Sequence, residues 1–403
     1  MQLMLHMGAE KTGSTAVQEW MHLNAASLRE RGIWYCASLG RPNNTGIYLY
    51  GLGGGQDEGF LWHDVVNDAQ KADFIDKIRR DLEQEILCAK QSGCHSFFIS
   101  NEHCHSRLIF PENIQRVFDL LNPFFEKITV YFIVRPQIDM CLSLASTLAR
   151  VGGDVSLEWL ETEMQADNHY YNYFDVLQKW STSFGKNNII PVPYKRFDDT
   201  IGYFMDELHL NGGGFQSARR SNQALDYRTM AISNALRFKY YDENNGPNRN
   251  AQFFIDDLPQ KEKLRVSRDV GEKLQSRFTE SNARLVKDWP HINNYDMAVD
   301  WKSFPDGGNL YKLHALDEFS EHLRYIVERL NAQLWLERSI AKNLESRIAE
   351  LSDDMTSAIE LCNTARQQAI WASAIESVRA EACMLQDQLT ARIDYLQKKS
   401  QTS

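Results

Sequence analysis

The sequence contains no CxxC pair, and its seven cysteines, Cys36, Cys88, Cys94, Cys104, Cys141, Cys362 and Cys383, are scattered and odd in number. A disulfide framework or a zinc site built on paired cysteines is therefore not expected. Reduced, mostly structural thiols and a cytoplasmic location are. No stretch approaches 18 uninterrupted apolar residues, so no membrane-spanning helix is expected. The opening Met1-Gln2-Leu3-Met4-Leu5 carries no basic segment ahead of its brief apolar run, and no secretory signal is evident. Positive charge is in deficit. Lys and Arg total 44 against 54 Asp and Glu, a formal net charge of −10. A general nucleic-acid binder needs a basic face to neutralise phosphates, which argues against that class; an anionic ligand must be held by local positive charge. Proline and glycine are both missing from Leu316 to Leu396, which removes the usual helix breakers from that span.

What is present begins at the first residue. Residues 3–7 are apolar and read as a buried strand. A tight turn with Gly8 and Gly13 follows, and from Ser14 the pattern of Val17, Trp20, Met21 and Leu28 is helical. Strand, glycine turn and helix N-terminus make an anion site, with converging N–H groups, the positive end of the helix dipole and a lysine. A nucleotide-hydrolase P-loop reads GxxxxGK[ST], with lysine directly after the second glycine. Here the two glycines have that spacing, but Ser14 occupies the lysine's place and the lysine comes earlier, at Lys11. A nucleotide-dependent kinase is disfavoured for that reason, and no apolar run ending in an Asp for Mg²⁺ is obvious. The plainer alternative is an ordinary N-capped helix with a solvated Lys11. The run Lys11-Thr12-Gly13-Ser14-Thr15 resembles the 5′-phosphosulfate loop of PAPS-dependent sulfotransferases, usually written K-[ST]-G-[ST]-[ST].

Further along, residues 32–35 read as a short strand and residues 40–59, rich in Gly and Asn, as a mobile loop whose tyrosines could stack on a sugar. A charged amphipathic helix is expected over 70–92, a buried strand over 96–100, a helix over 111–122 and a near-continuous apolar strand over 127–134. Residues 170–184 read as helix, 188–194 as strand, and the chain to about 290 as mainly helical, interrupted at 244–250. Strands alternating with helices imply an α/β fold with a parallel, P-loop-type sheet flanked by helices. Ligands bind such sheets at the carboxyl ends of strands. Pro305-Asp306-Gly307-Gly308-Asn309 marks the boundary between an α/β domain, 1–309, and a helical extension, 310–403. In the extension Leu316, Phe319, Leu323, Ile326, Leu330 and Leu334, then Leu344, Ile348, Leu351 and Met355, predict a coiled coil or long helical hairpin. Its register slips around 359–375, where Ala and Gln dominate and a stutter or turn is expected. A non-catalytic scaffold built on that seam is a further alternative.

Two more motifs stand at strand ends. Arg135 follows the strand over 127–134, with Ser143 eight residues on. An arginine fork and a hydroxyl suit a terminal phosphate. Ser100-Asn101-Glu102-His103-Cys104-His105 follows the strand over 96–100, and a carboxylate or imidazole there can take a proton from an acceptor hydroxyl. Glu102 is the first candidate base, His103 the second, with His105 behind them. On a continuing extended chain Glu102 and His103 point to opposite sides.

The Arg135–Ser143 spacing is similar to the sulfotransferase 3′-phosphate motif, though Pro136-Gln137 departs from the usual following pair. Trp180…Phe184-Gly185-Lys186-Asn187-Asn188-Ile189, Arg220–Leu225 and Phe278–Asn282 look like further segments of bacterial members. Residues 1–290 are thus covered at low density and the helical extension not at all. The resemblance implies a bacterial carbohydrate-type enzyme that moves the sulfuryl group of PAPS to a hydroxyl, leaving PAP, without a metal. It implies Lys11 at the bridging oxygen and Thr12, Gly13, Ser14 and Thr15 around the 5′-phosphosulfate. Arg135 and Ser143 would hold the 3′-phosphate, with Arg220 as a further cation. A glycan acceptor is expected, with a homo-oligomer or partner enzyme joined through the extension.

Overall fold

Five strands form the sheet around which the chain is arranged: β1 Gln2–His6, β2 Ile33–Tyr35, β3 Ser96–Ser100, β4 Lys127–Val134 and β5 Ile189–Pro193. The computed structural model describes residues 1–197, 199–210, 213–218, 224–236, 241–242, 246–247, 258, 261–352, 354–373 and 376–400. All pairings in this sheet are parallel and the order is β2-β3-β1-β4-β5. Seven of the eight β4 residues are buried. Such a strand is covered on both faces, which is why it reads as one apolar run.

The order places a switch point at β1. The chain leaves β1 for β2 and β3 on one side, then crosses to β4 on the other, opening a crevice at the carboxyl ends. Register sets what meets there. Gln2 pairs with Lys127 and His6 with Tyr131, so β4 runs three residues further, to Val134. At the usual rise per residue that overhang is about 10 Å. It carries Arg135 out over the turn that follows β1.

One face of the sheet packs on the helix Ser14–Leu23 and the helix Thr200–Glu207. Phe204 is the pin: its ring lies 4.8 Å from His6, 5.2 Å from Phe98 and 5.7 Å from Tyr131. Anchoring Phe204 against three strands fixes Thr200, at the start of that helix, against the turn after β1.

Residues 40–59 differ from expectation. They contain a helix, Gly46–Leu52, with Ile47, Tyr48 and Leu49 buried. Burial of these three side chains overrides the turn-forming preference of their Gly and Asn neighbours.

The chain divides into two compact units. One holds Met1–Thr147, Val155–Asp226 and Gln260–Leu310; the other holds Leu148–Asp154, Tyr227–Pro259 and Tyr311–Ser403. The second includes the helices Tyr227–Leu236, Ser320–Leu351, Met355–Ala372 and Glu376–Ser400. Where the sequence pattern predicts a register slip, Ala358, Cys362, Ala365, Ala369 and Ala372 instead form a buried seam. Small side chains bring backbones close: Ser339 Oγ donates to the Ala365 carbonyl at 2.7 Å, and Ser346 Oγ to that of Ala358 at 2.7 Å. The helix ends at Ser373, inside the 359–375 window where a stutter or turn is expected. Glu350 joins the helices Ser320–Leu351 and Glu376–Ser400 through Arg392 at 2.9 Å and Lys399 at 3.0 Å.

Candidate active site

Two glycines shape the turn after β1. Gly8 has φ 64°, and a Cβ there would lie 2.8 Å from the Cα of Glu102; Gly13 has φ 92°, and its Cβ would lie 2.5 Å from Thr200 Oγ1. Only glycine lets both neighbours approach so closely. Lys11 also adopts a left-handed conformation, φ 66°, a strain of order 1 kcal/mol for a residue with a side chain. Three carbonyls of the turn are held by donors. Thr12 Oγ1 donates to Ala9 at 2.5 Å, Arg135 Nη1 to Lys11 at 2.9 Å, and Thr200 Oγ1 to Thr12 at 2.7 Å.

Fixing these carbonyls leaves donors uncommitted. Among the described residues, no hydrogen bond reaches the N–H groups of Ser14 and Thr15 at the start of the first helix. Ser14 is 4% exposed, and among the described residues neither its Oγ nor the buried Nε of Arg135 has a hydrogen-bond partner. Leaving buried polar atoms unpaired costs about 1–3 kcal/mol each. Anionic groups are the usual partners of such donors at a helix start. Thr12 differs from expectation: its hydroxyl proton is spent on Ala9, so the side chain braces the turn. Thr15 is exposed at the helix start.

The Arg135 guanidinium stacks on Tyr194, 5.1 Å from the ring centroid. Burial raises the Asp139 carboxyl above its ordinary range, although Arg135, Lys195 and Arg265 all pull it down. Local cations thus gather here in a chain of net negative charge. Ser143 is half-buried on the helix Gln137–Arg150, whose start is tied down from a distance. Ile138 N–H donates to Gln275 Oε1 at 2.9 Å, and buried Gln137 exchanges bonds with Asn282 at 2.8 and 3.1 Å. Arg220 lies outside the described residues.

Beyond β3 the backbone turns at once. Glu102 precedes a one-turn helix, His103–Arg107, so it and His103 are not on an extended chain as the sequence suggests. Glu102 Oε2 accepts from Gln18 Nε2 at 2.5 Å, and Gln18 also reaches the Ser100 hydroxyl at 3.3 Å. His103 turns Nδ1 toward Glu10 Oε1 at 3.6 Å, and Tyr170 donates its hydroxyl to Glu10 Oε2 at 3.1 Å. Burial pushes Glu10 up, but the nearby His103, with Nδ1 at 3.6 Å, and Ser106 outweigh it and hold the carboxyl at about 2. Burial lowers the His103 imidazole, but Glu10 and Glu102 overcome that and raise it above its ordinary value. His105 is fully buried against Phe132 and Tyr170, and desolvation lowers it to about 3. It serves as a neutral core group, not a base. Glu10, Gln18, Tyr170 and Thr200 are absent from the sequence-based site; only the acid beside Lys11 signals one of them.

The fold and turn define a class: a parallel α/β unit with a glycine turn and a helix start at its switch point. Among the described residues, no group of three or more His, Cys, Asp or Glu is placed to hold a metal ion. No family model and no curated protein matches the chain. Among solved structures it is similar to a sulfotransferase from Alicyclobacillus acidocaldarius, at 12% identity and a TM-score of 0.38, covering 74% of this chain and 98% of that one. A likeness that distant carries no argument.

Proposed function

We propose that the protein is a sulfotransferase that moves the sulfuryl group of PAPS to a hydroxyl of a carbohydrate or glycolipid, leaving PAP. One observation carries the reading: Arg135 Nη1 meets the Lys11 carbonyl at 2.9 Å, so two motifs 124 residues apart build one cradle. The unpartnered Ser14 Oγ and Arg135 Nε there fit phosphate oxygens. When bound, PAPS supplies an activated sulfuryl group and a phosphate that leaves. The N–H groups of Gly13, Ser14 and Thr15 and the Ser14 hydroxyl bind the 5′-phosphosulfate. Lys11 stabilises charge gathering on the bridging oxygen. Arg135, Ser143 and Arg220 hold the 3′-phosphate, and Glu102 and His103 stand on the acceptor side.

Trp62, 44% exposed and with its ring 6.0 Å from that of His103, supports a sugar acceptor by offering a stacking face. The second unit, on this reading, joins two copies of the chain. Leu330, Ile348 and Leu351 on the helix Ser320–Leu351 are 64%, 65% and 87% exposed, an apolar stripe that a second copy would cover. Seven free cysteines suit a cytoplasmic setting.

Calorimetry with PAP and with ATP tests the donor. Binding of PAP alone is expected; binding of ATP alone points to a kinase, and binding of neither to a scaffold. Lys11→Ala is expected to lower turnover at least a hundredfold while changing PAP affinity less than tenfold. Unchanged turnover rejects the role given to Lys11.

A further inference from the structure

We infer, building on the sulfotransferase reading, that His103 takes the acceptor's proton and that Glu10 is the positioning residue that orients it. The choice between Glu102 and His103 is made by what each already holds. Glu102 accepts from buried Gln18, and its Cα would lie 2.8 Å from a Cβ on Gly8. Its carboxylate is a brace between β3, the first helix and the turn. His103 is differently placed. Its Nδ1 faces Glu10 at 3.6 Å, its ring is flanked by Tyr48 at 5.1 Å and Trp62 at 6.0 Å, and its side chain keeps 18% exposure.

Nδ1 faces the carboxylate within ion-pair reach though beyond hydrogen-bond distance, which favours the proton on that nitrogen and leaves Nε2 to accept a second one. Glu10 is itself held by the Tyr170 hydroxyl at 3.1 Å. Because Glu10 and Lys11 are adjacent, one turn orients the base and carries the cation at the leaving group. In the step this implies, the acceptor oxygen bonds to sulfur as its proton passes to Nε2. The bond from sulfur to the bridging oxygen breaks, its electron pair staying on the departing phosphate. Nε2 then returns its proton to water.

The charged and titratable groups facing His103 are Glu10, Glu102, Arg107 and Tyr48. Arg107 is paired with Glu58 at 3.0 Å and Asp57 at 3.7 Å. Glu10 in turn faces His105, Ser106 and Tyr170. Removing the Glu10 carboxylate takes away the partner that opposes burial, so His103 must titrate lower.

The test is a histidine NMR titration of the whole chain, with the His103 signal assigned by its loss in His103→Asn. Glu10→Gln is expected to lower the His103 midpoint by at least about one pH unit. Glu10→Asp, one methylene shorter, is expected to lower it by less, and it stands in if the first variant fails to fold. An unmoved midpoint overturns the inference. Turnover of Glu10→Gln should fall at least tenfold with KM for PAPS within threefold, its acid limb moving to lower pH. A rise in KM alone also overturns it. PAP calorimetry on the unaltered chain separates the two ideas. No PAP binding with a shifted midpoint removes the sulfuryl chemistry and keeps the pair; PAP binding with a fixed midpoint does the reverse.

Discussion

Gly13 shows how little freedom a single position in the turn has. Alanine there combines a φ of 92° with a Cβ 2.5 Å from Thr200 Oγ1. Gly13→Ala is expected to cost about 2–3 kcal/mol of stability and to weaken PAP binding at least tenfold, by urea unfolding and calorimetry. Full stability with full affinity would contradict this account of the turn. The buried histidines set the response to acid. His6 and His105 are fully buried, and desolvation lowers each to about 3. The unfolded chain therefore takes up protons from about pH 6.5 downward while the folded one does not, until about pH 3. Stability is complete above pH 6.5 and is lost across that window, by roughly 1.4 kcal/mol per pH unit for each ring. Glu10 adds its own loss only below the ordinary carboxylate range, as pH falls toward about 2. Denaturant midpoints measured between pH 7 and pH 4 check the sign; a midpoint that rises on acidification would refute it.

Gln137 is the knot at the scale of elements, because it ties the helix Gln137–Arg150 to the helices Arg268–Ser276 and Thr279–Asp288. Gln137→Ala leaves Gln275 Nε2 and the Asn282 side chain without their partner, while Gln275 Oε1 keeps Ile138, and is expected to cost about 2–4 kcal/mol, measured by urea unfolding. A loss under 1 kcal/mol would show that the two partners re-pair elsewhere. The strands were legible in the sequence because parallel strands covered on both faces leave unbroken apolar runs, as 127–134 does. Lys11 and Arg135 meet because each lies shortly past such a run, beyond the ends of β1 and β4. The helix Gly46–Leu52 was not, since its stability comes from the partners that bury Tyr48, and local composition points to a loop. The alanine seam of 358–372 reads as a lost register, because leucine-sized spacing signals hide packing between small residues. The pairs Tyr170–Glu10 and Gln18–Glu102, separated by 160 and 84 residues, have no local signature. Only the folded sheet brings them together.

Taken whole, the molecule leaves one long apolar stripe uncovered on the helix Ser320–Leu351. Replacing Leu330, Leu344 and Ile348 together by Gln is expected to halve the mass seen by light scattering without altering PAP affinity. A mass that stays the same would remove the assignment to self-association. Among the described residues, no helix is long and apolar enough to cross a membrane.

The turn after β1 is gripped from β3, from β4 and from the helix Thr200–Glu207, which lie far apart in the chain. No subset of the sheet can present the cradle. Hydrogen exchange should therefore protect the first-helix amides almost as fully as those of β1, both opening only when this unit unfolds as a whole. An arrangement of this kind has no partly formed version: it stands in the finished fold and vanishes with it.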